Sequence, residues 1–227
     1  MARVYVYNNN NDSMEYYTLA ETDAMPYNIG RTLTVGEFRG SSRAGTIWTS
    51  RKAMEAFNVT RNLWGRPIYV RYAFKRIWEG GHAAMSQHYA GVSFDAGQNL
   101  DSTTRDQLRN TAIQAGVWTY VEPASLTPTW VHFDARQTPA ACEAGGYPLI
   151  RNGSAGVYVL TLQDGLNALG YTGSGLDGYF GSGTRSAVIN FQRAQGLDAD
   201  GVVGCQTWEA LTEAAVAIGQ TPTVVNP

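Results

Sequence analysis

The chain reads Ser86-Gln-His-Tyr-Ala-Gly-Val-Ser-Phe-Asp-Ala-Gly97 at the point that decides its fold. Apolar and polar residues alternate over positions 92–95, which predicts a short β-strand. Gly91, just before this strand, can adopt backbone angles that are closed to other residues, so the chain can turn back after His88. Such a turn would bring the His88 imidazole beside the Asp95 carboxylate.

An imidazole and a carboxylate together suit a zinc ion. A catalytic zinc takes three protein ligands and keeps one position open for water. The alternating strand Thr129-Trp-Val-His-Phe-Asp-Ala135 offers His132 as the third ligand, with Asp134 on the same face. The spacing alone favours a simpler interpretation, in which the histidine forms a surface pair or a hydrogen bond in the core.

The motif itself resembles a known signature. It has Ser86 two residues before His88, Gly91 three residues after it and Asp95 seven residues after it. This pattern is similar to that of the zinc D-alanyl-D-alanine carboxypeptidases and endopeptidases of bacterial cell walls, which share their fold with the VanY and VanX peptidases and the amino-terminal domain of hedgehog proteins. The resemblance covers roughly residues 33–136. It implies zinc bound by His88, Asp95 and His132. Asp134 is predicted to orient one of these ligands without binding the metal itself.

A general base is implied by the same resemblance. Many wall peptidases place a glutamate three residues before the last histidine ligand, where this chain has Thr129. The hedgehog-like members place it after a Trp-x-Tyr-x-Glu pattern, which Trp118-Thr-Tyr-Val-Glu122 matches. We therefore predict that Glu122 accepts the proton of an attacking water. The alternative is an exposed glutamate at the end of a strand.

The family's substrate-binding arginine lies in a Ser-Gly-Tyr-Arg-like turn, which this chain replaces with Tyr72-Ala-Phe-Lys-Arg76. Lys75 or Arg76 is predicted to take its role, with a plain surface cation as the alternative. His82 is predicted either at the rim of the site or as a surface histidine. Ser86 of the motif is the fourth predicted substrate contact.

The carboxyl-terminal part contains an internal repeat. Segments 177–187 and 200–210 share an Asp-Gly pair, a later glycine, a threonine and an alanine at matching offsets. Each glycine-bearing turn leads into a predicted helix, and a third helix is predicted near residues 159–169. Residues 154–215 closely resemble the three-helix peptidoglycan-binding domain that is appended to many wall hydrolases.

These patterns predict an α+β zinc peptidase domain with a mostly antiparallel sheet, followed by a small three-helix bundle. The predicted boundaries are 1–136 for the peptidase, 137–153 for a linker, 154–217 for the peptidoglycan-binding domain and 218–227 for a tail. Leu33–Phe38 resembles the entry segment of the wall peptidases, in which a short apolar strand leads to a Glu-Phe pair. Cys142 and Cys205 fit no zinc spacing and form either a disulfide or two free thiols.

Composition narrows the classes of function. The chain has 227 residues, 44% of them hydrophobic, which predicts a globular protein. A formal net charge of −2 argues against nucleic-acid binding. No apolar run reaches the roughly 20 residues of a membrane span, and the amino terminus lacks a secretory signal. We expect a monomer that acts on the wall from outside the cell or as a phage lysin.

The function predicted from all of this is hydrolysis of peptidoglycan stem peptides by a zinc carboxypeptidase or endopeptidase that is anchored by its wall-binding module. Two alternatives remain. One is another zinc wall hydrolase, such as an amidase, and the other is a non-catalytic wall-binding protein with a structural zinc. The sequence does not say which bond would be cut.

Overall fold

The computed structural model describes residues 1–30, 32–142, 146–173 and 175–219. The amino-terminal part combines two sheets with three helices, and the carboxyl-terminal part is helical. The strands are β1 (Ala2–Asn8), β2 (Ser13–Leu19), β3 (Thr46–Ser50), β4 (Val70–Tyr72), β5 (Ser93–Ala96), β6 (Tyr120–Val121) and β7 (Val131–Asp134). The helices are α1 (Val35–Arg39), α2 (Arg51–Trp64), α3 (Ser102–Ala115), α4 (Val157–Ala168), α5 (Ser182–Ala194) and α6 (Cys205–Ile218), with a 3₁₀ turn at Ile77–Glu79.

The first sheet has the order β2-β1-β3. Strand β1 pairs antiparallel with β2 and parallel with β3, so this sheet is mixed. The second sheet has the order β4-β5-β7-β6 and is antiparallel throughout. The expectation of an α+β architecture with mostly antiparallel strands is therefore confirmed.

Two long helices cover the apolar face of the second sheet. Helix α2 begins at Ser50, whose side chain accepts a hydrogen bond from the Ala53 amide, and α3 ends at Gly116 in a left-handed conformation. Phe57 of α2 packs on Phe94 of β5, with ring centroids 5.0 Å apart. Because Phe94 points into this core, its neighbours in β5 point to the opposite face.

Residues 33–38 form mostly a short helix, α1, where the resemblance implies a short strand that leads to the Glu-Phe pair; Thr34 makes only an isolated bridge to Ala24. The reason is a capping box: the Thr34 hydroxyl accepts from the Glu37 amide, and the Glu37 carboxylate accepts from the Thr34 amide. This reciprocal pair satisfies amides that would otherwise lack partners at the start of a helix.

The three carboxyl-terminal helices show the predicted internal repeat in their hydrogen bonds. The Gln163 side chain accepts from the Gly178 amide at 2.9 Å and donates to Thr184 at 3.2 Å. The Gln192 side chain does the same at the next repeat, accepting from the Gly201 amide at 2.9 Å and donating to the threonine at 207 at 3.1 Å. A buried glutamine therefore holds each Asp-Gly turn against the helix that follows it.

The predicted linker is not a loose spacer. Cys142 forms a disulfide with Cys205 at the start of α6, which decides between the two predicted states of these cysteines. Tyr147 is buried, and Ile150 pairs with Val203 in an isolated bridge. Segment 143–145 and the predicted tail beyond Gly219 lie outside the described residues.

The helical part packs directly on the α+β part, and one hydrophobic core runs through both. An ion pair joins Arg76 to Asp164 of α4, and the Met14 amide of β2 donates to the Tyr179 hydroxyl at 3.0 Å. Apolar side chains of both parts are therefore buried against each other, on either side of the predicted linker. Among the described helices, none is long and apolar enough to cross a membrane.

Candidate metal centre

The turn that carries His88 depends on Gly91. Gly91 has a φ of +67°, and its amide donates to the His88 carbonyl at 3.2 Å. A Cβ atom at this position would lie 2.0 Å from the Trp48 carbonyl oxygen, a distance that real contacts do not reach. The turn brings His88 Nε2 to 3.3 Å from Asp95 Oδ2, as predicted from the spacing.

The second sheet places Asp95, His132 and Glu122 side by side. Asp95 of β5 is paired with His132 of β7. On the other side of β7, Val121 is paired with Phe133, and the next amide, that of Glu122, donates to the His132 carbonyl at 2.9 Å. Residues directly opposite each other in an antiparallel pair share a face, with Cβ atoms about 5 Å apart. All three side chains therefore project from the polar face of the sheet.

Three donor atoms converge here, one each from His88, Asp95 and His132, within 4.8 Å of one another. His132 Nδ1 lies 2.7 Å from Asp95 Oδ1. His88 is only 3% exposed, and its Nδ1 is buried without a hydrogen-bond partner in the part of the chain that the structure describes. Asp95 therefore accounts for one ring nitrogen of His88, Nε2, and the other is left without a partner among the described residues. Two imidazoles and a carboxylate are a donor set that fits zinc.

The carboxylates make the centre attractive to positive charge. Burial lowers the pKa of His132, but its hydrogen bonds to Asp134 and Asp95 outweigh burial and raise that pKa to about 9. Burial raises the pKa of Asp95, but hydrogen bonds from His132 and His88 outweigh it and hold that pKa below its usual range. Asp95 is therefore an anion at neutral pH and available to a cation.

Asp134 lies behind His132, away from the converging atoms. Its Oδ2 is 3.1 Å from His132 Nε2, and its Oδ1 accepts from Arg136 Nε at 2.7 Å. Asp134 is fully buried. A carboxylate that binds the outer nitrogen of a histidine fixes the ring orientation and leaves the inner nitrogen facing the metal. The contacts of Asp134 thus orient the His132 ring, and its role beside a metal stays a prediction.

Arg109 holds the loop between Glu122 and His132. Its Nε donates to the Glu122 carbonyl at 3.1 Å, and its Nη2 donates to the carbonyls of Thr127 and Trp130 at 2.8 Å each. Arg109 is buried on α3, so its charge is screened little by water. The segment between Glu122 and His132 is thereby fixed, and Glu122 stays opposite His132. The α3 periodicity alone did not mark Arg109 as buried.

The four predicted substrate contacts differ in where they lie. Arg76 pairs with Asp164, and its guanidinium lies 5.0 Å from the Trp48 ring and 5.7 Å from the Trp78 ring. It is thereby committed to the contact with α4, and the structure does not support a substrate role. The Ser86 hydroxyl accepts from the His88 amide at 3.4 Å inside the turn, which is a structural contact.

His82 and Lys75 lie beside the centre. The His82 ring stacks on His88, with centroids 4.5 Å apart and an interplanar angle of 26°. Burial, followed by the nearby charge of His88, lowers the pKa of His82 to about 3, so this ring is neutral at physiological pH. Lys75 Nζ donates to the Gly80 carbonyl at 3.3 Å. The substrate contacts proposed for these two residues stay predictions.

A cavity of about 310 Å³ opens next to Asp95, and it contains a cation that sequence reasoning missed. Its lining comprises Arg71, Tyr72, Asp95, Gln98, Thr129 and Trp130. Strand β4 has a bulge here, because Val70 pairs with Ala96 while Tyr72 pairs with the adjacent Asp95. Bulges re-aim side chains next to functional sites, and this one accounts for Arg71 reaching the same cavity as Tyr72.

Comparison with known proteins identifies the helical part. Residues 156–211 match the family described as "Putative peptidoglycan binding domain". The match spans α4, α5 and the first half of α6, together with both Asp-Gly turns, so the predicted resemblance of this part is confirmed. It covers about a quarter of the chain.

Three curated relatives are named as a cortex-lytic enzyme, a carboxypeptidase and an amidase. The chain is 35% identical over 92 residues to the spore cortex-lytic enzyme of Oceanobacillus iheyensis, covering 40% of this chain and 32% of that protein. It is 41% identical over 66 residues to the zinc D-Ala-D-Ala carboxypeptidase of Streptomyces albus G (27% and 25%). It is 43% identical over 53 residues to an N-acetylmuramoyl-L-alanine amidase of Mycobacterium tuberculosis (23% and 13%). The chain thus spans a third or less of each of these relatives.

Proposed function

We propose that this protein is a zinc-dependent peptidase that hydrolyses stem peptides of peptidoglycan, acting at the wall as a carboxypeptidase or an endopeptidase. The observation that carries the proposal is the row Asp95–His132–Glu122 across the second sheet, closed from one side by His88. This row combines a set of ligands with a carboxylate that is not needed as a ligand. A structural metal site has no use for that extra carboxylate.

His88, Asp95 and His132 would hold the zinc. When bound, zinc lowers the pKa of a coordinated water toward about 7 and polarises a carbonyl oxygen. Glu122, opposite His132, would take the proton of the attacking water and pass it to the leaving amine. Asp134 and Arg136 keep the His132 ring in place, and Arg109 keeps Glu122 in place.

The cavity beside Asp95 would receive the peptide. Stem peptides end in carboxylates, and Arg71 is the cation that lines this cavity. An arginine fork matches a carboxylate in geometry and charge. Arg71 therefore replaces Arg76 as the proposed substrate-binding arginine, while Lys75 and His82 remain proposed rim contacts. The peptidoglycan-binding domain would hold the enzyme near its polymer, which raises the local substrate concentration.

The deciding experiment is the variant Glu122→Gln, with Glu213→Gln on the exposed face of α6 as the matched control. The amide keeps the shape but cannot accept the proton, so turnover should fall roughly 10²- to 10⁴-fold. Zinc content, measured by elemental analysis, should stay near the wild-type level in both variants. His88→Ala should instead lose most of its zinc.

Mass analysis of digested muropeptides identifies the bond. Loss of D-alanine or cleavage within the peptides supports the proposal, whereas release of intact peptides from muramic acid favours an amidase, the activity named in one relative. If Glu122→Gln digests muropeptides as fast as the wild type, Glu122 is not the base. If neither protein digests anything, the non-catalytic wall-binding function replaces the proposal.

A further inference from the structure

The turn that carries His88 is contacted on one side of the histidine by the predicted linker and on the other side by the helical domain. Before it, the Tyr147 hydroxyl donates to the Ser86 carbonyl at 2.6 Å. After it, the Thr161 hydroxyl of α4 lies 3.2 Å from the Tyr89 carbonyl oxygen and 2.9 Å from the Val157 carbonyl oxygen, and it can donate its one proton to either of them. The Trp48 indole donates to the Tyr89 carbonyl at 3.1 Å from the first sheet. The backbone around His88 is thus fixed jointly by the two parts of the chain.

One hydroxyl group joins the two segments that supply histidine ligands. Tyr158 of α4 donates its hydroxyl proton to Gln87 Oε1 at 2.9 Å, and Gln87 directly precedes His88. The Tyr158 hydroxyl oxygen in turn accepts a hydrogen bond from the Gln137 amide at 3.0 Å. Gln137 lies five residues after His132 in the chain. A phenol has one proton to donate and lone pairs to accept with, so both bonds form at once.

The surroundings of Tyr158 keep this hydroxyl in place. Its side chain is buried, and the Tyr147 ring packs on its ring with centroids 5.2 Å apart. Six residues further along α4, Asp164 pairs with Arg76. Helix α4 is therefore held on the α+β domain at two points along its length. A rigid helix can fix a hydroxyl position more closely than a loop can.

We propose that the helical domain positions the metal ligands, with Tyr158 tying the His88 segment to the His132 segment. This inference rests on the proposed zinc site. It gives the domain a second role, besides wall binding, that a flexible tether could not perform. Tyr158 acts through its neighbours and touches neither metal nor substrate, so it is a positioning residue.

The test compares Tyr158→Phe with Tyr179→Phe in the full chain. Both variants remove a hydroxyl that joins the two domains, but Tyr179 contacts the Met14 amide of β2 and not the metal-binding segments. The readout is the zinc dissociation constant, measured by competition with a chromophoric chelator at a temperature where both variants are folded. Partners that orient ligands typically contribute 10- to 100-fold to metal affinity. Tyr158→Phe should therefore bind zinc about tenfold more weakly, with Tyr179→Phe unchanged.

If Tyr158→Phe does not fold, the variant Tyr147→Phe replaces it in the test. Tyr147→Phe should also weaken zinc binding, because it loses the hydrogen bond to the Ser86 carbonyl. Equal zinc affinity in the folded Tyr158→Phe protein, the wild type and the control would overturn the inference while leaving the proposed function intact. Equal weakening in the Tyr179→Phe control would also overturn it, because the effect would then reflect general loosening of the interface. A wild-type protein without affinity for zinc would overturn the proposed function itself.

Discussion

Gly91→Ala should destabilise the protein severely and damage the metal centre at the same time. Alanine at a φ of +67° costs roughly 1 kcal/mol in backbone strain. Its Cβ would meet the Trp48 carbonyl oxygen at 2.0 Å, so the two backbones must separate by about 1 Å to reach even the closest real contacts. Trp48 is fully buried in β3, so overpacking adds roughly 1–3 kcal/mol.

The separation would also strain the bonds that tie the turn to β3. The Thr49 hydroxyl donates to the Gly91 carbonyl at 2.7 Å, and a net contribution of about 1 kcal/mol is typical of such a bond. The sum is a loss of about 3–5 kcal/mol in the free energy of unfolding. Because the His88 carbonyl is bonded to the Gly91 amide, the same shift moves His88 away from Asp95.

Gly65→Ala is the matched control. Gly65 has a φ of +72°, and no atom of the described residues lies within 4 Å of the point where an alanine Cβ would stand. This variant should lose only the strain, roughly 1 kcal/mol, and keep its zinc. Urea unfolding measures the first quantity and elemental analysis the second. If Gly91→Ala unfolds at the same urea concentration as Gly65→Ala and retains its zinc, the close approach to Trp48 does not constrain the turn.

Two further predictions concern the disulfide and the cavity. Replacing Cys142 and Cys205 by serine opens a loop of 63 residues and should lower the free energy of unfolding by about 4 kcal/mol, measured by urea titration. Reduced wild-type protein should unfold at the same urea concentration as the variant. An unchanged unfolding midpoint in the variant would contradict the loop-closure reasoning. Arg71→Ala should raise KM about tenfold for peptides with a free terminal carboxylate but not for the same peptides amidated there, because the lost contact is charge-assisted. Arg193→Ala, on the exposed face of α5, is the control. Equal effects of Arg71→Ala on both peptides would exclude carboxylate binding by Arg71.

The sequence by itself determined the local structure of the main elements. The alternation over 92–95 and 129–135 predicted the two strands of the site, and the capping serine of α2, Ser50, and the glycine that ends α3, Gly116, are local features of the same kind. Gly91 predicted the turn between His88 and Asp95. These features are local, because capping, periodicity and glycine conformation depend on residues close in the chain. The Asp-Gly repeat is likewise a local feature that can be read from the sequence.

Only the tertiary structure decided which side chains meet across the sheets and between the domains. Arg71 lines the cavity because a bulge shifts the pairing of β4 with β5. Arg109, on α3, contacts the segment that follows Glu122. Arg76 is committed to Asp164, 88 residues away in the sequence. Strand register and domain docking are set by the burial of apolar surface over the whole molecule. No local pattern encodes them, and so the packing of the helical domain against the His88 turn became visible only in the fold.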